Sequence, residues 1–179
     1  MASPDPADIE LLVLDVDGVL TDGRILLTPS GEEIKGFHSR DGAGMKYWRR
    51  VGRKLAIITG RGSPAVERRA AELDVDAVRL NVKNKLPALR EVLEELGVSM
   101  ERTAVMGDDL TDLPIMRECG FSAAPADAAA EILARADYVA GTPGGAGCVR
   151  EVVELLLKRA DLWRVILTRY IEESEEAGP

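Results

Sequence analysis

The sequence predicts an α/β fold built on an open, mostly parallel sheet. Three observations lead to this class: short apolar strands alternate with helical segments, polar motifs follow several strands directly, and no apolar run approaches the length of a membrane span. Repetition of strand, turn and helix is typical of βαβ units. Because ligands bind beyond the carboxyl ends of the strands in such sheets, the polar motifs are expected to meet at one edge.

The first half of the chain supplies two buried strands, a hairpin and two helices. Ile9–Leu14 and Lys54–Thr59 are continuous apolar runs, the pattern of strands buried on both faces. Two short apolar stretches around the turn "PSGE" predict a β-hairpin over Arg24–Phe37. A helix is predicted over Asp41–Val51, and Ser63-Pro64 opens another that continues to about Leu73.

The second half repeats the alternation with shorter elements. Four more strands are predicted, at "DAVRL", "TAVM", "GFSAA" and "DYVA". The helices are predicted over Lys83–Leu96, over Asp112–Cys119, from Asp127, and as one long stretch from Val149. We divide the chain into a flexible N-terminus (1–8), one α/β domain (9–157) and a helical tail (158–179) with an apolar face.

Composition and charge exclude several classes of protein. The 179 residues carry a formal net charge of −8 without a Lys/Arg-rich run, so no nucleic-acid partner is expected. No membrane partner is expected either, because no apolar run is long enough to span a bilayer. Cys119 and Cys148 lack metal-site spacing and are interpreted as reduced thiols, which predicts a cytoplasmic protein.

The stretch "LLVLDVDGVLTDG" places two carboxylates, Asp15 and Asp17, directly after the first strand. A simple turn does not require the second carboxylate. A calcium loop starting at Asp15 would need a bidentate glutamate where Leu26 stands. A phosphorylated receiver domain would carry an acid after the third strand, "DAVRLN", and none is present.

Phosphoryl transfer through an aspartyl-phosphate fits the motif better. Asp15 can attack phosphorus as a nucleophile, and Asp17 can protonate the leaving group and then activate water. An anionic nucleophile attacking a phosphate needs a cation, and clustered carboxylates suit Mg²⁺. Asp108 supplies a further acid, and Thr59 and Lys85 can contact the phosphate. Asp109 and Asp112 are expected to support this cluster.

Four motifs carry a family resemblance: "DVDGVLTDG", "ITGR", "NKL" and "GDDLTDLP" resemble, in order, those of the haloacid dehalogenase superfamily of phosphatases. Together with "FHSRDGAGM" and "GGAGCVREV", they are similar to the family of 3-deoxy-D-manno-octulosonate 8-phosphate phosphatases. The resemblance implies a Rossmann-like, capless, haloacid dehalogenase-like fold with the hairpin as an insertion. It also implies a Mg²⁺-dependent, tetrameric hydrolase of lipopolysaccharide biosynthesis.

The resemblance also implies roles for individual residues. Asp15 would be nucleophile and metal ligand, Asp17 the acid/base with its backbone carbonyl on the metal, and Asp108 the remaining ligand. The implied substrate contacts are Asp17, His38, Ser39, Arg40, Asp41, Gly42, Lys46, Arg61, Arg69 and Lys85. The "PGGAG" segment could form only a turn or reach a neighbouring subunit's site.

The substrate is expected to be a small anionic sugar phosphate, and two alternatives stay open. Related capless phosphatases act on nine-carbon keto-sugar acid 9-phosphates. That branch tends to have an acid after "TG" and often lacks the "RDG" arginine, so Arg61 and Arg40 favour the eight-carbon substrate. An alternative from another class is a non-catalytic partner-binding module with a vestigial site.

Overall fold

The structure, a computed structural model, describes residues 6–176, with the side chains of 173–176 excepted. Residues 1–5 of the expected flexible N-terminus and residues 177–179 of the tail therefore lie outside the described residues. Pro6–Asp8 form a short 3-10 turn. None of the helices described combines the length and the apolar composition needed to cross a bilayer.

The predicted parallel sheet is confirmed. Six parallel strands lie in the order β5-β4-β1-β6-β7-β8. Their bounds are β1 Leu11–Leu14, β4 Lys54–Ile58, β5 Ala77–Arg79, β6 Thr103–Met106, β7 Phe121–Ala124 and β8 Tyr138–Val139. The strand order reverses at β1, which pairs with β4 on one side and β6 on the other. Such a reversal places a crevice at the carboxyl end of β1.

Helices cover both faces of the sheet. The longer ones are α1 Ser39–Arg50, α2 Pro64–Glu72, α3 Lys85–Leu96, α6 Cys148–Arg159 and α7 Trp163–Glu176. Helices α4 Leu113–Met116 and α5 Ala130–Leu133 have four residues each. Alternate residues of β1 enter two cores: Leu12 and Leu14 pack with α1 and α6, whereas Leu11 and Val13 pack with α3.

The insertion after β1 is the predicted hairpin. It contains only two paired residues on each strand, β2 Leu26–Leu27 and β3 Glu33–Ile34, joined antiparallel. Its apolar side chains Leu26, Leu27 and Ile34 are all more than half exposed. The hairpin therefore adds little to the core of the chain.

The C-terminal helix prediction was wrong in one respect. The expected continuous helix from Val149 is two helices, because α6 ends at Arg159 and α7 begins at Trp163. Asp161 between them has a φ of 54°, a left-handed conformation that a helix interior does not accept. The turn folds α7 back, so that Ile166 is buried against the core and Trp163 contacts Tyr47 at 5.9 Å between ring centroids.

Candidate active site

The carboxyl ends of three adjacent strands form one cavity of about 310 Å³. Asp15 follows β1, Thr59 follows β4, and Asp108 follows β6 by two residues. The register Leu14↔Ile57 and Leu14↔Met106 aligns these strand ends. The cavity is lined by Asp15, Asp17, Gly23, Thr59, Gly60, Arg61, Lys85, Asp108, Asp109 and Thr111.

Lys85 joins the two buried acids of the site. It is the first residue of α3, its side chain is 2% exposed, and its Nζ lies 3.0 Å from Asp15 Oδ1 and 2.5 Å from Asp112 Oδ1. Burial disfavours the ammonium, but the charges of Asp15 and Asp112 outweigh that effect and raise the pKa of Lys85. Lys85 therefore stays a cation beside the predicted nucleophile.

Asp112 is engaged on both of its oxygens. Oδ1 accepts from Lys85, and Oδ2 accepts from the backbone N–H groups of Asp108 and Asp109 at 3.1 and 3.3 Å. The carboxylate thereby holds the loop after β6 in place. Asp109 is exposed and accepts from the N–H of Leu110 at 2.8 Å within the same loop. Asp112 thus contacts the loop directly, whereas Asp109 lines the cavity.

The donor set fits a hard divalent cation. Carboxylate oxygens of Asp15, Asp108 and Asp112 lie within 4.8 Å of one another. Within the described part of the chain, the buried Asp15 Oδ1 has no hydrogen-bond partner with good geometry, although Lys85 is near. Oxygen ligands of this kind suit Mg²⁺. Because Asp112 is occupied as described, Asp15 and Asp108 are the side chains free to bind it.

Burial and the crowding of like charges raise the pKa values of Asp15 and Asp108. Burial, followed by repulsion from Asp112, raises the pKa of Asp15 to about 6. Burial, followed by repulsion from Asp15 and Asp112, raises the pKa of Asp108 to about 7. A cation between these carboxylates would remove the repulsion and return both groups to the ionised form.

Two glycines permit the close packing of the loop after β1. Gly18 has a φ of 89°, and a Cβ there would lie 2.1 Å from Asp108 Oδ2. Gly144 of "PGGAG" meets the same loop, since its Cβ would lie 1.9 Å from the carbonyl oxygen of Gly18. The N–H of Gly145 also donates to the carbonyl of Val19 at 2.9 Å. Within one chain, "PGGAG" therefore braces the loop that follows Asp17.

The implied substrate residues do not all meet at this cavity. Asp17, Arg61 and Lys85 line it, whereas Ser39 and Arg69 line a second cavity of about 370 Å³. Arg40 lines a third, of about 540 Å³, with residues of α6. The structure thus divides the expected substrate contacts among three surfaces of one chain.

The remaining predicted contacts lie around α1. Asp41 is buried and caps α6 instead, accepting from the N–H groups of Gly147 at 3.1 Å and Arg150 at 2.8 Å. Gly42 leaves room for Arg69, whose Nη2 would lie 2.2 Å from a Cβ at that position.

The last two predicted contacts are His38, which is the N-cap residue of α1, and Lys46, which lies on α1. His38 precedes α1, and its buried Nδ1 has no hydrogen-bond partner among the described residues. Lys46 is exposed on α1 and lines none of the three cavities described above.

Two residues beside the cavity were missed by the sequence analysis. Lys35 of the hairpin donates from Nζ to Asp17 Oδ1, and Glu33 accepts from Arg61 Nη2 at 3.1 Å. The signal that could have found them is the alternation in "EIK", which places Glu33 and Lys35 on the same face of a strand and Ile34 on the other.

The chain is similar to known proteins of one family. The sequence profile of haloacid dehalogenase-like hydrolases matches residues 81–151. The chain is 47% identical over 150 residues to the 3-deoxy-D-manno-octulosonate 8-phosphate phosphatase KdsC of Escherichia coli strain K12, covering 84% of this chain and 80% of that one.

Two solved structures are similar over most of the chain. The 3-deoxy-D-manno-octulosonate 8-phosphate phosphatase of Yersinia pestis is 42% identical, with a TM-score of 0.87, over 88% of this chain and 85% of that one. The enzyme of Moraxella catarrhalis, in complex with magnesium, phosphate and KDO, is 38% identical with a TM-score of 0.90, over 93% and 95%. By these identities and coverages, the chain belongs to the family of 3-deoxy-D-manno-octulosonate 8-phosphate phosphatases, within the haloacid dehalogenase-like hydrolases.

Proposed function

We propose that this chain is a Mg²⁺-dependent phosphatase that releases phosphate from 3-deoxy-D-manno-octulosonate 8-phosphate through an aspartyl-phosphate. The observation that carries the proposal is the single cavity in which Asp15, Asp17, Thr59, Lys85 and Asp108 meet. Family membership supports the reaction and the substrate, since the relatives reported above bear that activity in their names.

In the first half-reaction a carboxylate oxygen of Asp15 forms a bond to phosphorus, and the bond from phosphorus to the sugar oxygen breaks. Asp17, protonated, gives its proton to the departing alkoxide. Lys85 offsets negative charge on Asp15 and on the transferring group, and Thr59 can donate its hydroxyl hydrogen to a phosphate oxygen. Asp15 and Thr59 act from strand ends and Lys85 from a helix start, whereas Asp17 lies in the loop after β1.

In the second half-reaction Asp17 takes a proton from water, and the water oxygen attacks the phosphorus of the aspartyl-phosphate. Phosphate leaves and the carboxylate of Asp15 is restored. Asp15, Asp108 and the backbone carbonyl of Asp17 would hold Mg²⁺. When bound, the ion supplies positive charge that lowers the repulsion between the attacking carboxylate and the phosphate.

Arg61 is the residue we assign to substrate choice. Its guanidinium lies on the rim of the cavity, half exposed, where a carboxylate of a keto-sugar acid could pair with it. Arg40 lies in another cavity, so Arg61 is the stronger of the two sequence arguments for the eight-carbon substrate.

The hairpin supports the proposed tetramer. A two-stranded hairpin with Leu26, Leu27 and Ile34 exposed is only marginally stable and carries an apolar face. Packing of hairpins from several copies would cover that face symmetrically. A neighbouring copy could also supply the wall that a capless site lacks, through its hairpin.

We place the enzyme in the cytoplasm. Both cysteines are unpaired, as expected in a reducing compartment. Burial raises the pKa of the Cys119 and Cys148 thiols to about 12, so neither is a reactive thiolate.

The deciding experiment measures phosphate release from a panel of sugar phosphates with and without Mg²⁺. We expect kcat/KM to be highest for 3-deoxy-D-manno-octulosonate 8-phosphate and activity to vanish with a chelator. A higher kcat/KM for a nine-carbon keto-sugar acid 9-phosphate would shift the assignment to that branch. No release from any phosphate ester would favour a partner-binding module with a vestigial site.

A further inference from the structure

The hairpin places a buried lysine against the proposed acid/base. Lys35 follows β3 by one residue, its side chain is 1% exposed, and its Nζ donates to Asp17 Oδ1. A lysine is almost never buried to this extent unless it is paired. Its second partner is Glu33, whose Oε1 lies 3.3 Å from Nζ.

These charges belong to a closed ring of four side chains. Glu33 Oε1 also accepts from Arg61 Nη2 at 3.1 Å, and Arg61 Nε lies 3.9 Å from Asp17 Oδ2. Positive and negative groups alternate around the ring, so its formal charges cancel. The ring joins the hairpin to the loops that follow β1 and β4, and so links the insertion to the edge of the sheet.

The two oxygens of Asp17 have different surroundings. Oδ1 accepts from Lys35, whereas the buried Oδ2 has no hydrogen-bond partner in the part of the chain that the structure describes. Proton transfer requires one oxygen to be free and correctly aimed. A hydrogen bond to the other oxygen fixes the carboxylate plane, which is what preorganisation of an acid/base demands.

We propose that Lys35 is a positioning residue that holds the Asp17 carboxylate so that Oδ2 faces the leaving group, with Glu33 keeping Lys35 in place. The role rests on the proposed phosphatase function. It assigns the hairpin a part in proton transfer within its own chain, in addition to any part in assembly. A competing explanation is that the buried pair only anchors the hairpin.

Leaving groups separate these two explanations. For a sugar phosphate the departing alkoxide needs a proton, whereas p-nitrophenolate departs without one. The parameter kcat/KM reports the steps up to departure of the leaving group, in which Asp17 acts as the acid. A misplaced Asp17 therefore lowers kcat/KM for alkyl esters more than for p-nitrophenyl phosphate, while a loosened hairpin lowers both alike.

The experiment measures kcat/KM of the full chain with saturating Mg²⁺ for 3-deoxy-D-manno-octulosonate 8-phosphate, phenyl phosphate and p-nitrophenyl phosphate. For Lys35→Met we expect a loss of roughly 10- to 100-fold on the sugar phosphate, up to the cost of a misplaced catalytic group and below the cost of losing the general acid outright. The expected loss on p-nitrophenyl phosphate is less than about threefold. Glu33→Gln should also lower kcat/KM more for the sugar phosphate than for p-nitrophenyl phosphate, with smaller losses than Lys35→Met. Lys35→Arg should retain more activity on the sugar phosphate than Lys35→Met does.

The matched control is Arg24→Met, which removes one cation from the same hairpin at a side chain that is 78% exposed. It should leave all three kcat/KM values within about twofold, as for most surface substitutions. Equal losses on the three substrates for Lys35→Met, or no loss, would overturn the positioning role and leave the phosphatase assignment intact. Absence of Mg²⁺-dependent hydrolysis by the unmodified chain would instead overturn the proposed function, and the role of Lys35 with it.

Discussion

The edge of the parallel sheet and the hairpin contribute to the same site but are held by different forces. Asp15 and Thr59 are buried at the ends of strands that are paired within the sheet, with a helix layer on either face. The hairpin has two paired residues per strand and exposes its leucines. Its described polar links to the site are charged side chains, Lys35 and Glu33. The core of the sheet thus positions the nucleophile Asp15. The proposed acid/base Asp17 is instead contacted by Lys35 of the hairpin, which has few contacts of its own.

Asp15→Asn tests the role of the sheet edge and should have the largest effect of the variants considered. The change keeps the shape and removes the attacking charge, so turnover should fall by at least about 10⁴-fold, as for loss of a covalent nucleophile. Phosphate release measured at saturating Mg²⁺ checks this, with Asp74→Asn on an exposed turn as the matched control. Substantial activity in Asp15→Asn would exclude the aspartyl-phosphate mechanism.

Asp108→Asn tests whether the second acid of the sheet edge binds the metal. It should lower activity by roughly 100-fold at low Mg²⁺, because one charged ligand is lost. Raising the Mg²⁺ concentration should recover part of the rate, and a titration of activity against Mg²⁺ measures the shift. If excess Mg²⁺ recovers nothing, Asp108 does not serve mainly as a ligand.

Arg61 contacts both regions, since it lines the cavity at the sheet edge and pairs with Glu33 of the hairpin. Because its guanidinium is 49% exposed, Arg61→Gln should cost about 1–2 kcal/mol of binding to a keto-sugar acid phosphate, after allowance for solvent screening. KM for glycerol phosphate, which has no carboxylate, should change less than about threefold, as should both KM values in the control Arg90→Gln. Equal losses for both substrates in Arg61→Gln would place Arg61 at the phosphate or in the fold.

Leu27→Asp tests the hairpin alone and should have the smallest effect on turnover. Leu27 is 64% exposed, so a charge there should change the free energy of unfolding by less than about 0.5 kcal/mol. The charge would disfavour apolar contact between hairpins, and light scattering should then report smaller particles than for the unmodified chain. An unmodified chain that is monomeric at micromolar concentration would remove the basis for this prediction.

The parallel sheet and the shared edge of the strand-end motifs could be predicted from local pattern. "LLVLD", "KLAIIT" and "TAVMGDD" are continuous apolar runs that end in polar residues. Parallel strands bring their carboxyl ends to one edge of the sheet, so Asp15, Thr59 and Asp108 were expected at the same edge. Their proximity follows from the strand order, in which β1 lies between β4 and β6. The break at Asp161 was not predicted, because a single residue in a left-handed conformation interrupts no apolar period.

The sequence by itself determined the fold class, the shared edge and the residue types that make phosphoryl transfer possible there. Only the tertiary structure decided that Lys35 and Glu33 reach Asp17 and Arg61, and that Asp41 caps α6 from another helix. The alternation of side chains along a strand predicts on which face each hairpin residue lies. It does not predict which residues that face contacts. Contacts between Lys35 and Asp17, 18 residues apart, or between Asp41 and Gly147, 106 apart, depend on how whole elements pack. Such packing leaves no local pattern in the chain.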